Sequence, residues 1–211
     1  MIDVPVILIG GGGHARVLIE FLRRLDARIE GILEADEARH GGTLDGVPVL
    51  GGDQVVLERD AGDILLVNGV GSVRQPVARR EVFERFSAQG YVFATLVHPS
   101  SVMAGGLEPG AGAQLMAGTV IQPGARLGAN CIVNTGATVD HDCAIGDHVH
   151  LSPGVTLSGN VVVGASSHVG AGATIIQGVT VGTNCLVAAG AVVIDDVPDN
   201  QTVAGVPARA A

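Results

Sequence analysis

An aliphatic residue recurs at every sixth position through the second half of this 211-residue chain, from Leu115 to Val193. All fourteen positions in this register hold Leu, Ile or Val. They are Leu115, Ile121, Leu127, Val133, Val139, Ile145, Leu151, Leu157, Val163, Val169, Ile175, Val181, Val187 and Val193. A helix with about 3.6 residues per turn cannot keep a six-residue register over roughly eighty residues. The period therefore indicates a solenoid, in which stacked coils bury a continuous aliphatic ladder.

A second regularity appears three residues after each aliphatic. Twelve of these fourteen positions hold Gly, Asn or Asp, the residues that enter the left-handed backbone region at the lowest cost. They are Gly118, Gly124, Asn130, Gly136, Asp142, His148, Gly154, Asn160, Ser166, Gly172, Gly178, Asn184, Gly190 and Asp196. Each hexad is therefore predicted to form a short strand and then a corner with positive φ, which builds a parallel β-helix over residues 98–211.

Small side chains or Val occupy the position two residues before each aliphatic, at Thr119, Ala125, Cys131, Ala137, Cys143, Val149, Val155 and Val161. This is typical of a second inward-facing position in a narrow triangular prism. All three cysteines of the chain, Cys131, Cys143 and Cys185, share this phase, and we interpret them as core residues rather than nucleophiles. Because no CxxC pair is present, they also indicate a reducing compartment, and we expect a cytoplasmic protein.

The first hundred residues lack the six-residue period and begin with a buried strand predicted at Val4–Ile9. Four glycines, Gly10–Gly13, and then His14 follow it. Next comes a predicted helix with one apolar face, made of Val17, Leu18, Phe21, Leu22 and Leu25. A strand, a glycine turn and a helix start present free N–H groups and a positive dipole end to a phosphate. Residues 1–97 are therefore predicted to form a small α/β domain, Rossmann-like, that binds one nucleotide.

Two other interpretations of the glycine turn remain. Gly10-x-Gly12-x-x-Ala15 satisfies a dinucleotide fingerprint, with Glu34 and Asp36 about twenty residues further on. The residues before the repeats are only about half of a full dinucleotide-binding domain, which disfavours an NAD site. A glycine turn without a ligand is the other alternative.

Further strands are predicted near Ile29–Leu33, Val47–Leu50 and Ile64–Val67, with a helix over Pro76–Ala88.

Charge and hydropathy limit the partners. The formal charge is −9 and all twelve cations are Arg, which argues against nucleic-acid backbones and anionic membranes. The N-terminus shows no basic and apolar targeting segment, and the longest apolar runs, such as Val4–Ile9, are too short to span a bilayer. We expect neither a nucleic-acid partner nor membrane insertion.

A histidine-rich segment lies within the repeat between residues 134 and 150. His141 and Asp142 occupy a corner, where most hexads have Pro, Ala or Gly followed by Gly or Asn. Since corners project side chains away from the core, an imidazole there is unlike packing material. Histidine has a pKa near the working pH, and a nearby carboxylate makes it a stronger base. The pair is therefore predicted to be catalytic, with His141 as general base.

The repeat pattern resembles the hexapeptide-repeat acyltransferases. This resemblance implies coils of three hexads that turn left-handed, and homotrimers with active sites between neighbouring prisms. With the glycine-His turn and the histidine segment included, nearly the whole chain resembles the sugar O- and N-acetyltransferases of bacterial surface-glycan synthesis, such as that of the O-antigen of lipopolysaccharide.

The resemblance implies an acetyl-CoA-dependent transfer to the 4-amino group of a nucleotide-linked 4-amino-4,6-dideoxy sugar. Members of the family that acetylate GDP-perosamine match best, so GDP-perosamine is the favoured acceptor and a UDP-linked sugar the next. In these enzymes the base is the histidine of a His-Glu or His-Asp pair, which corresponds to His141 and Asp142. Direct transfer in a ternary complex is expected, since no Ser or Cys stands beside a suitable base.

The resemblance also assigns binding residues. Acetyl-CoA is expected to contact His150 near the thioester, and the backbone around Gly159, Ala171 and Ala189. The sugar nucleotide is expected at Gly12, Gly13, His14, Glu34, Asp36 and Gly69. Arg209 is interpreted either as a contact of the CoA phosphates or as a solvated tail residue.

Three alternatives are kept open. The same base can drive O-acetylation of sialic acid or of another sugar hydroxyl. A non-enzymatic scaffold that binds a nucleotide sugar fits the solenoid, but it gives no reason for the corner pair. His141, Asp142, Asp147, His148 and His150 can also be interpreted as metal ligands. That interpretation leaves the nucleotide domain without a purpose, so no metal is expected.

Overall fold

The computed structural model describes residues 4–72 and 76–211. Within them the chain forms two compact units. The α/β unit contains residues 4–71 and 78–94, and the β-helix unit contains residues 72, 76–77 and 95–211. No helix in these described ranges is long and apolar enough to cross a membrane.

The α/β unit is built on one six-stranded sheet. Its strands are β1 (Val6–Ile9), β2 (Ile29–Leu33), β3 (Thr43–Leu44), β4 (Val47–Gly51), β5 (Leu65–Asn68) and β6 (Val92–Phe93). The helices are α1 (Gly13–Arg24), α2 (Gln54–Leu57) and α3 (Val77–Ala88), and a 3-10 turn covers Glu37–Arg39. The spatial order is β3-β4-β2-β1-β5-β6, and only β3 runs antiparallel to its neighbour. Since β2 and β5 flank β1, the order reverses at β1, where such sheets bind ligands beyond the strand carboxyl ends.

The predicted strands of this unit are confirmed with shifts of at most two residues, and the first begins at Val6 rather than Val4. The predicted apolar face of α1 was wrong at Val17, which is 50% exposed. Val17 lies on the side of the helix that also carries Glu20 and Arg24, which form an exposed ion pair. The core side is instead formed by Ala15, Leu18, Ile19, Phe21 and Leu22.

The β-helix unit is a prism with three faces of short strands. The first face holds Leu96–Val97, Gln114–Leu115, Ile132–Val133, His150–Leu151, His168–Val169, Leu186–Val187, Thr202–Ala204 and Arg209–Ala210. The second face holds Val102–Met103, Val120–Ile121, Thr138–Val139, Thr156–Leu157, Thr174–Ile175 and Val192–Val193. The third face holds Arg126–Leu127, Ala144–Ile145, Val162–Val163 and Thr180–Val181. Up to Val193 the strands pair in parallel with partners eighteen residues away, as Thr138 does with Thr156, so each coil consists of three hexads. The last strand, Arg209–Ala210, pairs antiparallel with Thr202–Ala204. The coil is left-handed.

The predicted core is confirmed. Each of the fourteen aliphatics is at most 5% exposed, and the small residues of the second inward phase are at most 7% exposed. Burying a side chain of this kind contributes roughly 1.5–3 kcal/mol. The three cysteines are buried in this core and form no disulfide.

The predicted corners are also confirmed, with one correction. Thirteen of the fourteen residues have φ between +52° and +77°. Asp196 does not, because the regular repeat ends there. Its carboxylate accepts the N–H of Thr180 at 2.7 Å, and the next corner with positive φ is at Asn200.

Backbone hydrogen bonds between successive corners define three edges of the prism. The His141 edge contains residues 123–124, 141–142 and 159–160, since the N–H of Asn160 bonds the carbonyl of His141. The Ala171 edge contains residues 153–154, 171–172 and 189–190, and the Asp147 edge contains residues 129–130, 147–148 and 165–166. The first face joins the Asp147 and Ala171 edges, because its strand at 150–151 follows one corner and precedes the other. It is therefore opposite the His141 edge.

Candidate active site

The glycine turn lies at the carboxyl end of β1, beside the carboxyl ends of β2 and β5. Gly10 has a φ of +90°, and α1 begins at Gly13 with Gly12 as an N-cap that has no side-chain hydrogen bond. The first turn of α1 carries no acidic side chain. A Cβ added to Gly12 or Gly13 would meet nothing within 4 Å. Backbone donors and the helix dipole thus border open space, which suits an anionic group.

Gly69, which follows β5, is a glycine for a packing reason. A Cβ there would stand 2.7 Å from the carbonyl oxygen of Gly10 and 2.9 Å from that of Ile9. These are backbone atoms that cannot move aside. The absence of a side chain at Gly69 therefore lets the loop after β5 lie directly against the glycine turn.

Glu34, at the carboxyl end of β2, braces the turn. Its Oε2 accepts the N–H of Gly11 at 3.2 Å and Nη1 of Arg39 at 2.6 Å, while Nη2 of Arg39 donates to the Gly11 carbonyl at 2.9 Å. Asp36 caps the 3-10 turn by accepting the N–H of Ala38 at 3.1 Å, and its side chain is exposed. Sequence reasoning missed Arg39, because no motif marks an arginine five residues after Glu34.

The predicted catalytic pair is in contact. Nδ1 of His141 lies 2.9 Å from Oδ2 of Asp142, and the two side chains are 55% and 60% exposed. Asp142 has a φ of +60°, the corner conformation. The pKa of His141 is raised, first because Asp142 hydrogen-bonds its ring and then because Asp140 and Asp142 are negatively charged. Asp140 also accepts the backbone N–H of His141 at 2.7 Å. The sequence left the contact with Asp142 open, and the structure shows it.

Glycines flank this pair in the coils before and after it. A Cβ on Gly159 would stand 2.5 Å from Nε2 of His141, so the free edge of the ring lies directly over this glycine. A Cβ on Gly124 would clash with the carboxylate of Asp142. Gly159, predicted as an acetyl-CoA contact, is thus adjacent to the nitrogen predicted to take the proton. Gly124 was missed, although it precedes Asp142 by one coil of eighteen residues.

A groove of about 200 Å³ lies on the second face beside the His141 edge. Its walls include Gln122, Thr138, Asp140, Thr156 and Ser158. The groove therefore offers polar groups to a ligand beside Asp140, the residue that precedes His141.

The other predicted acetyl-CoA residues are not brought to His141 within one chain. His150 is on the first face, on the opposite side of the prism, and is only 6% exposed. Ala171 and Ala189 are exposed corners of the Ala171 edge. Arg209 pairs with Asp195 at 3.3 Å and borders a cavity of about 280 Å³ at the last coil.

The residues of the metal interpretation are spread over the prism. His141 is on one edge, His148 on another, and His150 on a face. Across the ranges that the structure covers, no three His, Cys, Asp or Glu side chains are grouped as metal ligands. His148 instead faces the side chain of Asn130, with Nδ1 at 3.0 Å from Nδ2.

Comparison with known proteins relates both units to sugar acetyltransferases. Residues 5–86 match the family of the PglD N-terminal domain. The chain is 37% identical to PerB from Caulobacter crescentus in complex with CoA and GDP-perosamine, over 99% of this chain and 98% of that one, with a TM-score of 0.91. It is 37% identical to the acetyltransferase domain of PglB from Neisseria gonorrhoeae in complex with acetyl coenzyme A, over 98% of both chains, with a TM-score of 0.90. WeeI from Acinetobacter baumannii is 25% identical over 99% of this chain and all of that one, with a TM-score of 0.88. No curated protein matched the sequence.

A glycine-turn unit joined to a left-handed β-helix, with an exposed His–Asp pair at one corner, defines an acetyl-CoA-dependent acyltransferase. The chain belongs to the family of hexapeptide-repeat sugar acetyltransferases that includes perosamine N-acetyltransferase and the PglB acetyltransferase domain. It is a sugar N-acetyltransferase whose co-substrate is acetyl-CoA. This membership favours an enzyme over the non-enzymatic scaffold.

Proposed function

We propose that this enzyme acetylates the 4-amino group of a nucleotide-linked 4-amino-4,6-dideoxy sugar, with GDP-perosamine as the first candidate, and that His141 is the general base. The observation that carries the proposal is the His141–Asp142 pair, with the free Nε2 edge of the ring beside Gly159. An exposed, carboxylate-bonded imidazole at a corner of the prism suits proton transfer from a bound amine.

The reaction proceeds by direct transfer. The amine nitrogen attacks the thioester carbonyl carbon while Nε2 of His141 takes a proton from nitrogen. The carbon–sulfur bond then breaks, and the thiolate of CoA receives that proton. A backbone N–H steadies the oxyanion that forms in between.

An acetyl-enzyme intermediate is disfavoured by the position of Cys143. This thiol follows the catalytic pair in the sequence, but it points into the core and lies 3.2 Å from the carbonyl oxygen of Ser158. Burial raises the pKa of the Cys143 thiol, so little nucleophilic thiolate is present near neutral pH.

The α/β unit holds the nucleotide part of the acceptor. The N–H groups around Gly12, Gly13 and His14 bind the diphosphate, with Arg39 as a cation beside the turn. This arrangement matters in a chain with a formal charge of −9, because the local donors must offset the repulsion of an anionic ligand. The relative PerB was solved with CoA and GDP-perosamine together, which supports a ternary complex.

The active form is a homotrimer with sites between chains. His141 lies on one edge of the prism and His150 on the opposite face, while Ala171 and Ala189 lie on the Ala171 edge. One acetyl-CoA molecule therefore cannot reach all four residues in a single chain. A neighbouring copy that presents its first face to the His141 edge completes the set. We place the enzyme in the cytoplasm, in the synthesis of a bacterial surface glycan such as O-antigen, because of the family resemblance and because its buried cysteines form no disulfide.

Subunit mixing tests the shared site. His141→Ala and His150→Ala are each expected to be inactive alone. Refolded together in equal amounts, they should recover activity at about one quarter of the sites if chains associate at random. Recovery would not occur if both histidines acted within one chain.

The acceptor is tested by following release of the CoA thiol from acetyl-CoA. GDP-perosamine, a UDP-linked 4-amino sugar and free sialic acid are offered in parallel to the wild type and to His141→Ala. Release with one nucleotide-linked amine, lost in the variant, is the expected result. Release only with sialic acid would assign the enzyme to O-acetylation, and full activity of His141→Ala would remove the role of that residue.

A further inference from the structure

Two histidines stand one coil apart on the first face of the β-helix unit. His150 and His168 pair in register on neighbouring strands, and their ring centroids are 4.8 Å apart in an edge-to-face arrangement. Strand alternation points both rings away from the core residues Leu151 and Val169. Even so, they are only 6% and 8% exposed. Their ring nitrogens therefore depend on protein partners rather than on bulk water.

A serine joins the two rings. Ser72 belongs to the same compact unit, and its Oγ lies 2.5 Å from Nδ1 of His150 and 3.4 Å from Nδ1 of His168. On the far side, Nε2 of His168 lies 3.1 Å from Oγ of Ser152. Asn134 completes the row, with Nδ2 at 3.2 Å from Nε2 of His150.

The amide of Asn134 sets the direction of these hydrogen bonds. Its Oδ1 accepts the backbone N–H of Thr135 at 2.8 Å, so the NH₂ group is the part that faces His150. An amide NH₂ group only donates, and Nε2 of His150 must therefore be unprotonated. The ring proton then resides on Nδ1 and is donated to Oγ of Ser72.

The remaining bonds follow in sequence. Since the oxygen of Ser72 accepts from His150, its hydroxyl proton is available for Nδ1 of His168. His168 then carries its own proton on Nε2, which donates to Ser152. Burial lowers the pKa of His168, in keeping with a neutral ring that accepts at Nδ1.

We propose that Ser72 and His168 are positioning residues that hold His150 as the neutral Nδ1–H tautomer. This inference rests on the proposed function, in which His150 lies near the thioester of acetyl-CoA. In this tautomer Nε2 is an acceptor occupied by Asn134, so His150 does not donate a hydrogen bond to the thioester oxygen. It acts as an uncharged ring that orients the Asn134 amide.

The tautomer can be read in the full-length protein by NMR. Long-range ¹H–¹⁵N correlation spectra of protein labelled with ¹⁵N-histidine distinguish protonated from unprotonated ring nitrogens, and His150→Gln assigns the signals. The expected result near neutral pH is Nδ1–H for His150 in the wild type and in Ser72→Thr, and loss of this form in Ser72→Ala. A protonated Nε2 in the wild type, or an unchanged spectrum in Ser72→Ala, would overturn the proposal.

Steady-state kinetics give the second readout. Ser72→Ala should lower kcat/KM for acetyl-CoA about tenfold, the scale of one buried hydrogen bond, without changing the KM of the sugar nucleotide. Ser72→Thr should recover most of this loss, and His168→Gln should fall between them. Ser87→Ala, an exposed serine on α3, is the matched control. Equal losses in Ser72→Ala and Ser72→Thr would mean that the residue acts through packing alone, and the proposal would fail.

The two readouts separate this inference from the proposed acceptor. The NMR measurement needs no sugar nucleotide, so it stands even if GDP-perosamine is not acetylated. An active enzyme with His150 protonated on Nε2 would overturn only the tautomer.

Discussion

The two units place their functional groups by different means. In the α/β unit the groups proposed to bind the acceptor are backbone N–H donors, gathered in a glycine turn where three parallel strands end. In the β-helix unit the coils repeat one backbone pattern, and the proposed catalytic pair results from different side chains at one corner. Pro123 and Gly124 occupy that corner one coil before His141 and Asp142. A site made of backbone tolerates few side chains nearby, whereas a site made of side chains can be removed without changing the fold.

This contrast predicts that the largest loss of chemistry comes from the β-helix corner. His141→Ala should lower kcat about 10²–10⁴-fold, the usual contribution of a general base. The exposed ring contributes little to packing, so the thermal midpoint and the affinity for CoA should be unchanged. Turnover assays measure kcat, and calorimetry on the same sample measures the thermal midpoint and the affinity for CoA. His148→Asn, at a corner on another edge, is the matched control and should retain activity. If both variants lost activity equally, the corner pair would have no special role.

The second effect tests whether the scaffold positions the base. In Gly159→Ala the added methyl group meets Nε2 and Cε1 of His141, so the ring must move. A displacement of this size should lower kcat about tenfold to a hundredfold. The protein should fold normally, because the clash involves the far end of a side chain. Gly105→Ala is the control, since a Cβ there meets nothing within 4 Å. Wild-type activity in Gly159→Ala would show that the ring is not in its working position.

The third effect sharpens the comparison within the α/β unit. Gly69→Ala forces a Cβ against two carbonyl oxygens and should lower the free energy of unfolding by about 1–3 kcal/mol. In Gly13→Ala the added methyl group meets no protein atom, so the free energy of unfolding should be unchanged. The methyl group enters the space proposed for the diphosphate, so the affinity for GDP-perosamine should fall roughly tenfold. Urea unfolding and calorimetry distinguish the two variants. Unaltered binding in Gly13→Ala would mean that the ligand lies elsewhere.

The smallest effect is a shift in pH dependence. The hydrogen bond to Asp142 favours protonated His141 and raises its pKa, while the base must be neutral to act. The acid limb of kcat/KM should therefore move to lower pH in Asp142→Asn, and by less in Asp140→Asn. A pH–rate profile measures both shifts. Movement of the limb to higher pH would contradict the assignment of the base.

Sequence reasoning reached different depths in the two units for a physical reason. The six-residue period repeats the same packing demand fourteen times, so it located the core, thirteen corners and the projection of His141 residue by residue. It was wrong at Asp196, where the repeat ends and a single hydrogen bond decides the backbone. In the α/β unit the pattern located strands within two residues, but it misplaced Val17, whose exposure depends on neighbours around the helix.

Contacts across irregular segments were beyond the pattern. Ser72 bonds a histidine 78 residues away, and no local motif marks it. Arg39 reaches back 28 residues to Gly11. His168 was different, because it follows His150 by one coil of eighteen residues, and that spacing was an available signal. Which side chains meet across neighbouring coils depends on which coils stack. The six-residue repeat specifies this stacking only for residues inside the solenoid.

The division of labour between backbone site and side-chain site is tested most directly by single-turnover transfer with both substrates saturating. We expect Gly13→Ala to react at the wild-type rate once enough GDP-perosamine is present, because only its binding is weakened. His141→Ala should stay slow at every concentration, because its chemistry is lost. If Gly13→Ala remained slow at saturation, or if His141→Ala were rescued by more acceptor, the separation of acceptor binding from proton transfer would be wrong.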